Sequence, residues 1–224
     1  NFTFIQFIQQ ARFRNYGMFV IFLTLMNFSV YIAAPFFVGY MLYDLKLSYF
    51  QYMVLVTISF VAKYLSLSTW GKLSDKYGNK KILTLTGHLI PFLPIFWMLS
   101  QNFYYLFFVE VYGGLIWAGF ELSTFNFVFD TTTPQKRARC VSYFNVVNGI
   151  MIFIGVTFGS LLIKYNNIFW TKYYLAFLIS GIARFLITFT LLPKLKETRH
   201  VADISYNRIF LKAADMILTE SFNN

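Results

Sequence analysis

The sequence predicts an all-α, polytopic membrane protein that crosses the bilayer six times. Three observations carry that prediction. The 224 residues are 58% hydrophobic and only 12% charged, whereas soluble domains run nearer half apolar and a quarter charged. The apolar residues fall in six continuous runs, each close to the ~20 residues a spanning helix needs. Basic residues are concentrated in alternate segments between those runs, the pattern the positive-inside rule gives a multi-pass helical protein. A water-soluble globule of this size could not hide so much apolar surface, and the same composition excludes intrinsic disorder. The single cysteine, Cys140, excludes a disulfide scaffold. The apolar runs do not alternate with polar residues, which argues against a β-barrel.

Residues 1–16 place apolar side chains at helical spacing around Arg12 and Arg14, and read as an amphipathic segment on the cytoplasmic membrane surface. The six spans follow at 17–43, 49–70, 82–99, 103–129, 139–163 and 168–192. Pro35 bends the first, and Pro91 with Pro94 kinks the third. In the fifth, Gly155 and Gly159 form a small-residue pair that lets a neighbouring helix approach closely. Residues 193–224 form a cytoplasmic tail with a second amphipathic helix over 206–218, or with little order.

The charges orient the spans. Arg12 and Arg14, then Lys72, Lys76, Lys80 and Lys81, then Lys136, Arg137 and Arg139, then Lys194, Lys196 and Arg199 all fall on one side. The other side holds Lys46, Lys164 and Lys172. The first side is therefore expected in the cytoplasm, with both termini, and the lipid bilayer of the plasma membrane is the expected partner. The net charge of +10 fits loops facing anionic lipid. No basic face or nucleic-acid-binding motif emerges, so a nucleic-acid partner is not expected.

The segment after the second span reads Trp70-GKLSDKYGNKK-Ile82, a pattern of Gly71, Leu73, Asp75, Lys76, Gly78, Lys80 and Lys81. Gly71 lets a helix end lie close to a neighbour. Asp75 can cap the next helical turn and pair with cations. Gly78 supplies a tight turn. A second segment, Asp130-TTTPQK-Arg137-Ala138-Arg139, follows the fourth span. The first segment resembles the signature loop of the major facilitator superfamily of transporters, where it also joins a second and third helix. The departure is Asn79, where the family often has a basic residue; Lys80 and Lys81 stand beside it. The resemblance implies that Gly71, Asp75, Gly78 and Lys80 belong to the signature loop, and that Asp75, Asp130, Arg137 and Arg139 form a charge latch on one conformation. Topology-setting loop charge is the plainer alternative. The whole chain resembles one six-helix half of that fold, most like the C-terminal half of a prokaryotic member, with MNFSVYIAAPFF in the opening helix and RARCVSYFNVVNG opening the fifth. The resemblance implies a missing N-terminal half of the same polypeptide, joined through residues 1–16, or a second copy of a free-standing chain.

In that family the first and fourth helices of each half line the central cavity. The resemblance then turns attention to polar residues on those spans. The fourth carries Glu110, Trp117, Glu121 and Asn126. Glu110 and Glu121 are about three turns apart and share a face, with Trp117 within about 40° of it. An intramembrane carboxylate is costly and functional by default. Glu121 is the first candidate for proton coupling or for binding a cationic group, and Glu110 lies at the cavity mouth or the interface. Lys63 lies roughly 10 Å from the cytoplasmic end of the second span, where it can snorkel or pair with Glu121. Arg184, on the sixth, is expected to snorkel. Asn27 and Tyr31 on the first span are four residues apart and offer either a polar patch to the cavity or a bond to a neighbouring helix.

His88 and His200 with one cysteine assemble no metal site, and no nucleophile elbow, P-loop or zinc-protease motif is present. No cofactor is implied. The sequence therefore points to secondary transport of a small-molecule solute by alternating access, driven by an ion gradient such as protons through Glu121. A membrane-embedded enzyme and a non-transporting interaction or sensor module are the alternatives.

Overall fold

A computed structural model describes residues 15–169, 171–198, 201 and 206–222. Most of the predicted amphipathic segment 1–16, with Arg12 and Arg14, lies outside the described residues, as do Arg199 and His200. Among the described residues every regular element is helical. Six helices are long and apolar enough to span a membrane: α1 (Asn15–Asp44), α2 (Tyr49–Tyr77), α3 (Asn79–Leu99), α4 (Phe103–Thr131), α5 (Pro134–Tyr165) and α6 (Tyr174–Lys194). A seventh, α7 (Tyr206–Phe222), follows.

Local chemistry sets the ends. The Ser48 hydroxyl accepts from the Gln51 amide at 3.2 Å while the Gln51 side chain accepts from the Ser48 amide at 3.0 Å, a reciprocal cap on α2. Asn102 caps α4 through the Tyr104 amide at 2.9 Å. Proline at the first turn of α5 costs nothing there, because that N–H has no helical partner. The two largest departures from the sequence-based boundaries are at the end of α2 and the start of α6. α2 runs on to Tyr77 because nothing in Gly71–Tyr77 breaks a helix; Gly78, at φ 89°, makes the turn into α3. α6 starts later, at Tyr174, because the Asn166 side chain holds a turn. It accepts from the Ile168 amide at 3.0 Å and donates to the Thr171 carbonyl at 2.9 Å.

The bundle is an arc. α2 packs along α4, α4 on α3, α3 on α6, α6 on α1 and α1 on α5. The two ends of the arc, α2 and α5, are the most open, with 17% and 11% of their spanning windows buried. Tyr64 and Leu65 on α2 and Phe153 and Ile150 on α5 stand exposed. The lysine-rich end of α2 and α3 marks the basic end of the bundle. Toward it the core is Phe19, Phe22, Met26, Phe120 and Phe127. Toward the other end it is an aromatic cluster of Tyr40, Trp97, Tyr173, Tyr174 and Phe177, with the Tyr40 and Tyr174 hydroxyls 3.0 Å apart.

α1 is interrupted. Its α-helix stops at Tyr31, a tighter turn covers Ala34–Phe36, and a wider one covers Tyr40–Asp44. Pro35 has no N–H for the carbonyl one turn back, and the turn ahead of it tightens: the Ala33 amide donates to the Val30 carbonyl at 3.1 Å, which leaves the Ser29 carbonyl without its helical partner. α6 supplies donors at this break. Ser180 donates to the Ser29 carbonyl at 2.6 Å, and Arg184 donates to the Val30 carbonyl at 3.4 Å. Arg184 is therefore buried, at 3% exposure, and does not snorkel as the sequence led one to expect. On the other flank, Gly155 and Gly159 of α5 press against the Phe28 and Ile32 carbonyls, where a Cβ would collide with main chain.

Candidate functional site: a cavity between α1, α2, α4 and α5

Between α1, α2, α4 and α5 lies an open cavity of about 1050 Å³, large enough for a small organic molecule. Its charged centre is an ion pair. Lys63 of α2 and Glu121 of α4 meet at 2.5 Å, with side chains 25% and 50% exposed. Both line the cavity. The long α2–α4 contact places the two at the same depth, which is what brings the charges together. Trp117 lies one turn from Glu121 and also lines the cavity, its ring edge-on to Phe120 at 5.6 Å.

The opposite wall is polar but uncharged at this depth. Asn27 of α1 donates to the Asn148 side chain of α5 at 2.7 Å, and both line the cavity with Tyr31. The patch and the inter-helix bond expected as alternatives for Asn27 are thus one feature. Asn148 was not identified from sequence; a second amide, three residues after Asn145 in an otherwise apolar span, was its signal.

Glu110 and Asn126 lie outside the cavity lining. Glu110 is partly buried about three turns along α4 from Glu121. It takes a hydrogen bond from Ser59, which does line the cavity. Asn126 faces the basic end and donates to Asn79 at 3.3 Å. Asn79 is fully buried and donates in turn to Asp130 at 2.6 Å. The neutral residue at this departure from the family pattern therefore bridges the turn after α2 to the end of α4 without adding a buried charge.

The other residues of the basic end fall into separate places. Gly71 is mid-helix, and a Cβ there would sit 4.0 Å from Leu122, ordinary contact, so close approach does not require glycine. Asp75 is exposed in the last turns of α2. The cap expected of it on α3 comes instead from Glu197, which accepts from the Lys80 amide at 2.9 Å, next to Gly78. A carboxylate there meets the free N–H groups and positive end of α3. Arg137 closes the C-terminal end of α4. It donates to the carbonyls of Thr132 at 3.3 Å and Phe129 at 3.4 Å and lies 4.3 Å from the Phe129 ring centroid. Arg139 is exposed in the first turns of α5. α7 straps this end. Ile209 and Ala213 bury against Trp70, Leu73 and Tyr77, and Lys212 donates to the Tyr77 hydroxyl at 2.8 Å. α7 is the amphipathic helix that the sequence offered over 206–218; neither Glu197 as a cap nor the place where this helix docks was identified from sequence, because a tail of mixed charge gives no sign of where it docks.

Comparison with known proteins follows the same lines. The family model of the Major Facilitator Superfamily matches residues 17–213. Two curated proteins named as proline/betaine transporters, from Staphylococcus aureus strains MSSA476 and COL, are each 32% identical to the chain over 164 residues. The aligned part covers 68% of this chain and 34% of each relative, so the chain spans about a third of the length of the curated relatives it matches. No solved structure matches it significantly.

Proposed function

The chain belongs to the Major Facilitator Superfamily, and on that premise we propose that it is one half of a secondary transporter that moves a small solute through the α1–α2–α4–α5 cavity by alternating access. Membership in a family of transporters sets aside the reading as a membrane-embedded enzyme. The observation that carries the proposal is the Lys63–Glu121 pair facing the cavity. Charged groups inside a membrane are retained where they face a water-filled path and do work on it. Glu121 is the coupling candidate, by taking up a proton or by taking the cationic end of a solute. The relatives' names make proline or betaine candidate cargo for this chain.

The exposed faces of α2 and α5 are where the second half, or a second copy, would close the cavity. The lysine-rich end is placed in the cytoplasm, with both termini, and the bilayer is the plasma membrane. The latch role of Asp75, Asp130, Arg137 and Arg139 belongs to the same proposal. Asp130 would act through Asn79, and Arg137 through the end of α4.

The test is two-sided access. A single cysteine replaces Tyr31, in a Cys140→Ser background of the full polypeptide that carries this chain. It should react with a membrane-impermeant maleimide from either face, in proportions that shift with added solute. Reaction from one face alone, unmoved by any solute, contradicts alternating access through this cavity.

A further inference from the structure

The charge arrangement of the cavity selects the electrical character of its ligand. Lys63 and Glu121 form a closed pair, so at their depth the wall is neutral as long as the two remain together. The remaining charge on the lining, Arg137, sits in the first turn of α5 at the basic end and engages the carbonyls of Phe129 and Thr132, the nearer of which lies about 12 Å along α4 from Glu121 by helical rise. A solute that is only a cation would take Glu121 and leave the largely buried Lys63 ammonium without its partner. A solute that is only an anion would strand Glu121. Either leaves an uncompensated charge, which is the costly outcome for a partly desolvated pair. An uncharged solute has no reason to open the pair. A solute carrying both charges exchanges one ion pair for two and strands neither group.

We propose that the Lys63–Glu121 pair is the recognition centre for a zwitterionic solute, whose anionic end takes the Lys63 ammonium and whose cationic end takes the Glu121 carboxylate. The inference rests on reading the cavity as the solute path. The internal pair is then the resting form of the site, with each residue holding the place of one end of the ligand. The surroundings suit an alkylated cationic end. Trp117, Phe60 and Phe125 line the same cavity, and Phe60 and Phe125 are 54% and 62% exposed. Aromatic faces attract cations that carry few N–H donors of their own. On the far wall the Asn27–Asn148 pair offers neutral amides that can orient a ligand without changing the charge balance.

The test uses three probes of similar size and the full polypeptide in lipid nanodiscs, with binding read by tryptophan fluorescence. Glycine betaine carries both charges, choline only the cation, and tert-butylacetate only the anion. The wild-type protein should bind glycine betaine about tenfold or more tighter than either single-charge probe, the ratio one charge-assisted hydrogen bond supplies. Lys63→Gln should reverse the order in favour of choline, and Glu121→Gln in favour of tert-butylacetate. The swapped pair K63E/E121K keeps both charges and should keep the preference for glycine betaine, which separates recognition from damage to the fold. Equal binding of all three probes by the wild-type protein overturns the proposal. So does an unchanged order of preference in both single variants. A wild-type protein that responds to none of the three, while Tyr31→Cys still shows two-sided access, overturns the zwitterion assignment and leaves the transport path standing.

Discussion

On one side of the cavity, α2 and α4 are unbroken helices of 29 residues each that meet at Lys63 and Glu121. On the other, α1 and α5 meet at two amides, and α1 is broken around Pro35. The difference follows from what each wall has to satisfy. An ion pair inside a membrane needs two charges at fixed depth, and continuous helices supply that. A helix break inside a membrane needs outside donors for the carbonyls it frees. Ser180 of α6 supplies one to the Ser29 carbonyl and Arg184 adds a second donor to the Val30 carbonyl, while Gly155 and Gly159 let α5 close on the same stretch. The charged wall thus rests on two unbroken helices, and the broken wall depends on packing for its existence.

That contrast can be broken experimentally. Glu121→Gln should reduce solute uptake by the reconstituted full polypeptide to background and leave its thermal unfolding nearly unmoved. Unchanged uptake with unchanged pH dependence would remove Glu121 from the mechanism. Gly159→Leu should do the reverse kind of damage. Its side chain has no room against the Ile32 carbonyl, and unfolding in detergent should show a loss at or above the ~1–3 kcal/mol typical of overpacking. Ser180→Ala strands the buried Ser29 carbonyl and should cost about 1–2 kcal/mol; a stability equal to wild type would mean the break closes without α6. Glu197→Gln, at the basic end, weakens the anion on the N-terminus of α3 and should cost under about 1 kcal/mol. Its sharper readout is faster proteolysis of α7, and an unaltered cleavage rate would separate the cap from the strap.

The fold was legible where a single physical property decides it. Continuous apolar runs mark the spans, and Lys72 to Lys81 mark the basic end. Legibility failed where the decision is made between elements. The segment Gly71–Tyr77 reads as a loop because it is charged, yet lysine and aspartate on an exposed last turn extend a helix well enough, and only Gly78 stops it. Arg184 reads as a snorkelling residue from its own span. Its burial goes with its bond to the Val30 carbonyl at the break in a different helix. At the site, the depth of Lys63 and Glu121 could be counted along each helix, but their 2.5 Å contact required knowing that α2 packs on α4. The role of Asn79 as a bridge to Asp130 was visible only as a missing charge in a familiar pattern.

The most direct measurement is a charge-swap cycle on the reconstituted full polypeptide. Uptake of radiolabelled glycine betaine is compared for wild type, Lys63→Glu, Glu121→Lys and the double variant. The account predicts that each single variant, with two like charges at the centre of the cavity, loses uptake, and that the double variant regains a measurable part of it. Single variants that transport normally, or a double variant as inactive as either single one while folding as wild type does, would contradict a functional Lys63–Glu121 pair.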